Sequence, residues 1–204
     1  MTLLERRRAL MGMGGGGVLP SDYVALDYVN INNGNRYIKT DYVPSTTSKI
    51  EVKFKATATT SAQAGVIFGS RNGYNNKSFY FKTGVSSGGA VNMTAELGWS
   101  SVMSVTTPNV MLNENVFGVD NGTFYINDTV LGTYTNTFTP EYPIYIMMIN
   151  SAGSPFSTSP IGHLISAKIW ENSVLVRDYI PAKRLLDNVV GLFDVVTQTF
   201  NQMV

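Results

Sequence analysis

Two pairs of carboxylates and a single histidine carry whatever hydrolytic chemistry this 204-residue sequence holds. Glycoside hydrolysis needs two carboxyl groups flanking one bond, one giving a proton while the other attacks or activates water. On a single strand, same-face projection requires a spacing of two or four, because successive side chains alternate faces. Asp22 and Asp27 are five apart and face opposite ways, while Glu171 and Asp178 straddle a turn. No acidic ladder follows, and a non-enzymatic protein is expected. His163 follows Ile161-Gly162 at a strand entry, and no serine sits in a nucleophile elbow. One histidine and no cysteine leave neither an imidazole cluster nor a thiolate set for a transition metal. Oxygen donors at Asp120-Asn121-Gly122 and Asn127-Asp128 suit calcium in type, but hairpin turns place Asn and Asp at such points anyway, and the turn reading is preferred. The sequons at Asn76, Asn92, Asn121 and Asn127 carry no weight in so Asn- and Thr-rich a chain.

The stretch KIWENSVLVRDYIPA, residues 168–182, gathers Trp, Tyr, Arg and two carboxylates. Arg177 and Asp178 are adjacent on one strand and point to opposite faces, so they form no local pair. Trp170 and Tyr179 follow the polar-face parity of their strands. The stretch reads as a closing hairpin, with Arg177 or Asp178 holding a loop. Aromatic rings stack on sugar faces or pack under neighbouring loops. Tyr74, Trp99 and Trp170 are the candidates for glycan contact.

The elements that must position these residues read as strands throughout. KIEVKFKATAT alternates cleanly: Ile50, Val52 and Phe54 take one face, Lys49, Glu51, Lys53 and Lys55 the other. Asn121-Gly122 predicts a type I′ hairpin turn, Asn172-Ser173 a second tight turn. DYVALDYVNI, RYIKTDYV, GVIFGS and SFYFKTG are further strands. YPIYIMMIN is apolar on both faces and should lie centrally. Ile165, Ala167 and Ile169 share one face of the strand that ends at Trp170. PAKRLLDN alone allows a helical turn. About a dozen short strands between turn residues argue for an all-β sandwich or jelly roll.

Composition agrees. Charged residues are only 14%, so Thr, Ser, Asn and Gly must supply the polar surface. Residues 1–17 hold three arginines against one glutamate, which leaves twelve cations against thirteen carboxylates elsewhere. A near-neutral body offers no electrostatic footprint for nucleic acid. No apolar run reaches the ~18 residues of a membrane span, and no export signal is read. MTLLERRRALM followed by GMGGGG is a basic, apolar segment on a flexible tether, either a disordered terminus or a peptide that orders on a partner.

In order, LPSDYVALDYVNINNGNRYIKTDYVPSTTSKIEVKFKAT, GVIFGSR, FYINDTVLGTYT, ISAKIWENSVLVRDYIPAKR and VVGLFDVVTQTFNQ resemble the laminin-G-like, concanavalin-A-like jelly rolls of bacteriophage and prophage structural proteins. The resemblance covers residues 19–202; Ser173 stands where the family often has Gly. It implies an antiparallel two-sheet jelly roll over residues 18–204, behind an anchor peptide at 1–17 whose contacts would be Leu3, Leu4, Arg6, Arg7, Arg8, Leu10 and Met11. It further implies a non-enzymatic virion protein (a capsid decoration, head fibre or tail-associated part) in several copies or as a homo-oligomer, with other virion proteins as partners and host surface glycans as alternative ligands. Calcium is the one cofactor it leaves open.

Overall fold

The computed structural model describes residues 19–57, 64–72, 77–85, 91–98, 103–106, 110–134 and 138–204. The anchor residues Leu3, Leu4, Arg6, Arg7, Arg8, Leu10 and Met11, and the aromatics Tyr74 and Trp99, lie outside them.

The described residues form an all-β sandwich of two sheets. The first is built from β1 (Tyr23–Ala25), β2 (Val29–Ile31), β4 (Ser48–Ala56), β9 (Asn115–Asp120), β10 (Thr123–Ile126), β11 (Thr129–Thr133), β15 (Gly162–Glu171), β16 (Val174–Arg184), β17 (Val190–Asp194) and β18 (Thr199–Gln202). Its main path runs β11-β10-β9-β4-β15-β16-β17-β18. The second contains β3 (Ile38–Lys39), β5 (Gly65–Arg71), β6 (Phe79–Val85), β7 (Val91–Leu97), β8 (Met103–Thr106), β12 (Tyr145–Ile146), β13 (Ile149–Ser151) and β14 (Ser154–Phe156). Pairing is antiparallel except between β13 and β5.

The alternation in β4 is realised in full. Ser48, Ile50, Val52, Phe54 and Ala56 are buried, and the residues between them are half-buried. Phe54 meets Phe68, Phe79, Phe81, Phe117 and Phe124 in one core between the sheets. The rings of Phe68, Phe79, Phe81, Phe117 and Phe124 pack tilted and edge-on at 5.5–6.0 Å, the geometry their quadrupoles favour. The segment 144–150 is buried on both sides, as its apolar sequence requires. A positive φ of 67° at Met147 breaks it into β12 and β13.

Three expectations are corrected. The helical turn at Pro181–Asn188 does not form. Pro181 to Arg184 complete β16, and a tight turn follows, closed by Arg184 Nη2 on Asp187 Oδ2 at 2.7 Å. A bulge between Leu164 and Ser166 moves Leu164 into the core opposite Phe54 and turns Ile165 out of the core cluster. A second bulge changes the closing hairpin: Ile169 pairs with Arg177 but Trp170 with Leu175, so Val176 is the extra residue. One inserted residue flips the parity beyond it. Tyr179 therefore faces Ala167 in the core and is fully buried, rather than lying on the polar face.

Candidate carbohydrate-binding groove

The outward residues of β4 carry a groove across the first sheet. The register sets Asp120 and Trp170 on either side of Lys49. One step along, it sets Gly118 and Lys168 on either side of Glu51, with Tyr125 beyond Gly118. Gly118 has no side chain for a reason. A Cβ there would lie 2.2 Å from Tyr125 Cζ. The Tyr125 ring can therefore lie across β9, and its hydroxyl donates to Glu51 Oε1 at 2.8 Å. Burial, then that contact with Glu51, pushes the Tyr125 phenol above its usual range. Lys49 Nζ also reaches Glu51 Oε1, at 3.0 Å, and lies 4.8 Å from the Trp170 ring centroid. Tyr125, Glu51, Lys49 and Trp170 thus form one chain of contacts.

Two shallow recesses share Lys49 and Asp120. One, about 260 Å³, lies against Trp170, Asn121, Thr47 and Ser173. The other, about 420 Å³, lies against Tyr125, Glu51 and Asp128. Together they suit a ligand laid along a surface, with an aromatic ring at each end and polar groups between.

The rim beside Trp170 is locked by its neighbour. Glu171 accepts hydrogen bonds from Ser45 Oγ at 2.6 Å, Thr47 Oγ1 at 2.6 Å, Ser48 Oγ at 2.9 Å and the Tyr42 hydroxyl. Burial pushes its carboxyl up, but the hydroxyls of Ser45, Thr47, Tyr42 and Ser48 outweigh burial and hold it at about 2. Arg177 secures the same loop from the other side. Its Nη2 lies 3.0 Å from Asp41 Oδ1 and 3.1 Å from Oδ2, and its Nε lies 3.4 Å from the fully buried Asp194.

Of the candidate residues, Trp170 is brought to the groove. Glu171 turns into its hydroxyl cage while Asp178 faces Lys168 at 3.4 Å, so these carboxylates are kept apart. Asp22 precedes β1 and Asp27 lies between β1 and β2, both exposed. His163 stacks face to face on Tyr28, with centroids 3.7 Å apart, and burial and then Lys55 push its pKa down. Asn121 and Asn127 adopt positive φ as turn residues. Asn127 Oδ1 accepts the Val116 amide and its Nδ2 donates to Asn115, so the amide serves the hairpin. Among the described residues, no cluster of three or more His, Asp or Glu side chains is arranged to hold a metal ion. Tyr125, Lys49, Glu51 and Asp120 come from three strands and meet only through register, a relation that spacing within one segment does not carry.

No protein-family model and no curated protein sequence matches the chain. Solved structures do. The enzymatically active domain of tailspike protein 2 from bacteriophage CBA120 shares 11% identity and a TM-score of 0.53, over 80% of this chain and 30% of the tailspike chain. Full-length tailspike protein 2 from an Escherichia coli O157:H7 bacteriophage gives 12% and 0.52, over 80% of this chain and 27% of that one. The CBM40 of a Ruminococcus gnavus sialidase gives 13% and 0.46, over 74% and 93%. At such identity the likeness is one of fold, and the chain spans under a third of the tailspike chain in either structure. The fold is a two-sheet jelly-roll sandwich.

Proposed function

We propose that this chain is a glycan-recognising jelly roll that performs no hydrolysis itself. The observation that carries the reading is the groove in which Trp170 and Tyr125 flank Lys49, Glu51 and Asp120. Rings of this kind give sugar CH faces a platform, and the polar groups between them orient hydroxyls. Against turnover stands the state of the carboxylates. Glu51 Oε1 is shared between Tyr125 and Lys49, and Asp120 Oδ1 accepts the Asn121 amide at 2.8 Å. Neither is left poised across an open gap as an acid–base pair needs. The test is a glycan array on the purified chain, followed by polysaccharide digestion assays. Binding without reducing-end release is the expected result.

A particle-borne setting is a second part of the reading. It is supported by the likeness of fold to two structures of a phage tailspike, and by the basic, leucine-bearing segment before the glycines at 14–17. In this setting Leu3, Leu4, Arg6, Arg7, Arg8, Leu10 and Met11 attach the domain to another virion protein, and several copies raise avidity for host glycans. Co-sedimentation of the full and the truncated chain with phage particles tests it.

A further inference from the structure

We infer that the groove selects neutral, hydroxyl-rich glycans and discriminates against acidic ones such as sialylated or uronate-bearing chains. The inference rests on the glycan reading above and names its ligand class. Its first support is where the groove's donor hydrogens point. The Tyr125 hydroxyl donates to Glu51, the Thr47 hydroxyl to Glu171, and the Asn121 amide to Asp120. The two hydroxyl hydrogens are spent inside the protein, on Glu51 and on the cage behind the rim, and the Asn121 amide gives one of its two N–H groups to Asp120. The remaining oxygens of Glu51, Asp120 and Asp128 face a ligand as acceptors, beside the N–H groups that Lys49, Asn121 and Asn127 have left. Carboxylates accept only, so the group that fits them must donate. Sugar hydroxyls and acetamido N–H groups donate; a ligand carboxylate at neutral pH does not.

The second support is charge. Among the described residues that line the two recesses, Lys49 is the cation, against Glu51, Asp120 and Asp128. It is already 3.0 Å from Glu51. Lys168 follows on the next strand, opposite Glu51, but is paired with Asp178 at 3.4 Å. An anionic sugar laid between Trp170 and Tyr125 therefore meets uncompensated carboxylates. Like charges brought together across an interface oppose binding, and salt weakens the effect.

The experiment compares each neutral oligosaccharide that binds with the same oligosaccharide carrying one sialate or uronate, titrated into the full chain at low and at 0.5 M salt. Trp170→Ala locates the site, and the pair Asp120→Asn with Asp128→Asn tests the charge. The acidic partner is expected to bind about tenfold more weakly or worse at low salt, a gap of about 1.4 kcal/mol. That gap should narrow in high salt and in the double variant, with neutral binding lost in Trp170→Ala. Equal or tighter binding of the acidic partner, itself lost in Trp170→Ala, overturns the selection while leaving glycan recognition standing. A gap unchanged in the double variant overturns the charge argument. Absence of any glycan binding, or binding indifferent to Trp170→Ala, overturns the groove reading and the selection with it.

Discussion

Tyr125 lies across Gly118, close enough that a single added carbon on the glycine would sit 2.2 Å from the ring. This contact across two paired strands fixes one aromatic wall of the groove. Gly118→Ala is expected to displace the ring, break its hydrogen bond to Glu51 and cost about 1–3 kcal/mol, the usual range for overpacking. Thermal melting measures the cost, and glycan titration should show weakened binding. A variant that melts and binds like the parent would mean that the ring does not need that space.

Glu171 predicts a pH dependence. Its folded carboxyl is held at about 2, below the ~4.3 of an unfolded glutamate. A depressed folded pKa gives stability that is fully present above the unfolded value and lost as pH falls through the folded one. The cage should therefore stabilise the fold above pH ~5 and weaken between about pH 4 and pH 2, by about 1 kcal/mol once solvent screening is allowed for. Denaturant melts across that range check it. Glu171→Gln should flatten the slope there and lower stability at pH 7.

Ser173 is a non-glycine residue at a φ of 64°, next to Asn172 at 49°. The left-handed conformation disfavours L-residues, and glycine adopts it freely. Ser173→Gly should stabilise the chain by up to about 1 kcal/mol, the ~1–2 kcal/mol left-handed penalty less glycine's extra backbone entropy, read as a raised melting temperature. A lower melting temperature would show that the serine side chain is worth more than the backbone strain it carries.

Arg177→Ala should cost about 2 kcal/mol or more, because it unpairs the buried Asp194 and frees Asp41 together with the loop behind Trp170. Arg177→Lys should recover only part of this, since an ammonium cannot reproduce the two-pronged contact with Asp41. Equilibrium unfolding of the two variants ranks them.

The sequence carries the parts of the fold that depend on local pattern. The β4 alternation places Ile50, Val52 and Phe54 inside, and Asn121-Gly122 marks its hairpin, because both signals sit within a few residues. Bulges are another matter. Val176 is one extra residue with no distinctive chemistry, yet it moves Tyr179 from the surface to the core. The same limit applies to the groove. Trp170 is visible as an aromatic on a polar face, whereas the meeting of Tyr125 with Glu51, 74 residues away, depends on which strands become neighbours. Asp120 reads as a turn residue, but it ends β9 just before the turn and borders the groove because β9 lies beside β4.

Calorimetric titration of wild type and Trp170→Ala with a neutral oligosaccharide found on the array tests the central claim most directly. Trp170 is half-buried on the outer face of β15, so its removal should leave the fold intact. The account predicts binding by the wild type and at least about a tenfold loss in the variant, equal to about 1.4 kcal/mol, with the variant still folded at the temperature of titration. Wild-type affinity in Trp170→Ala would contradict it.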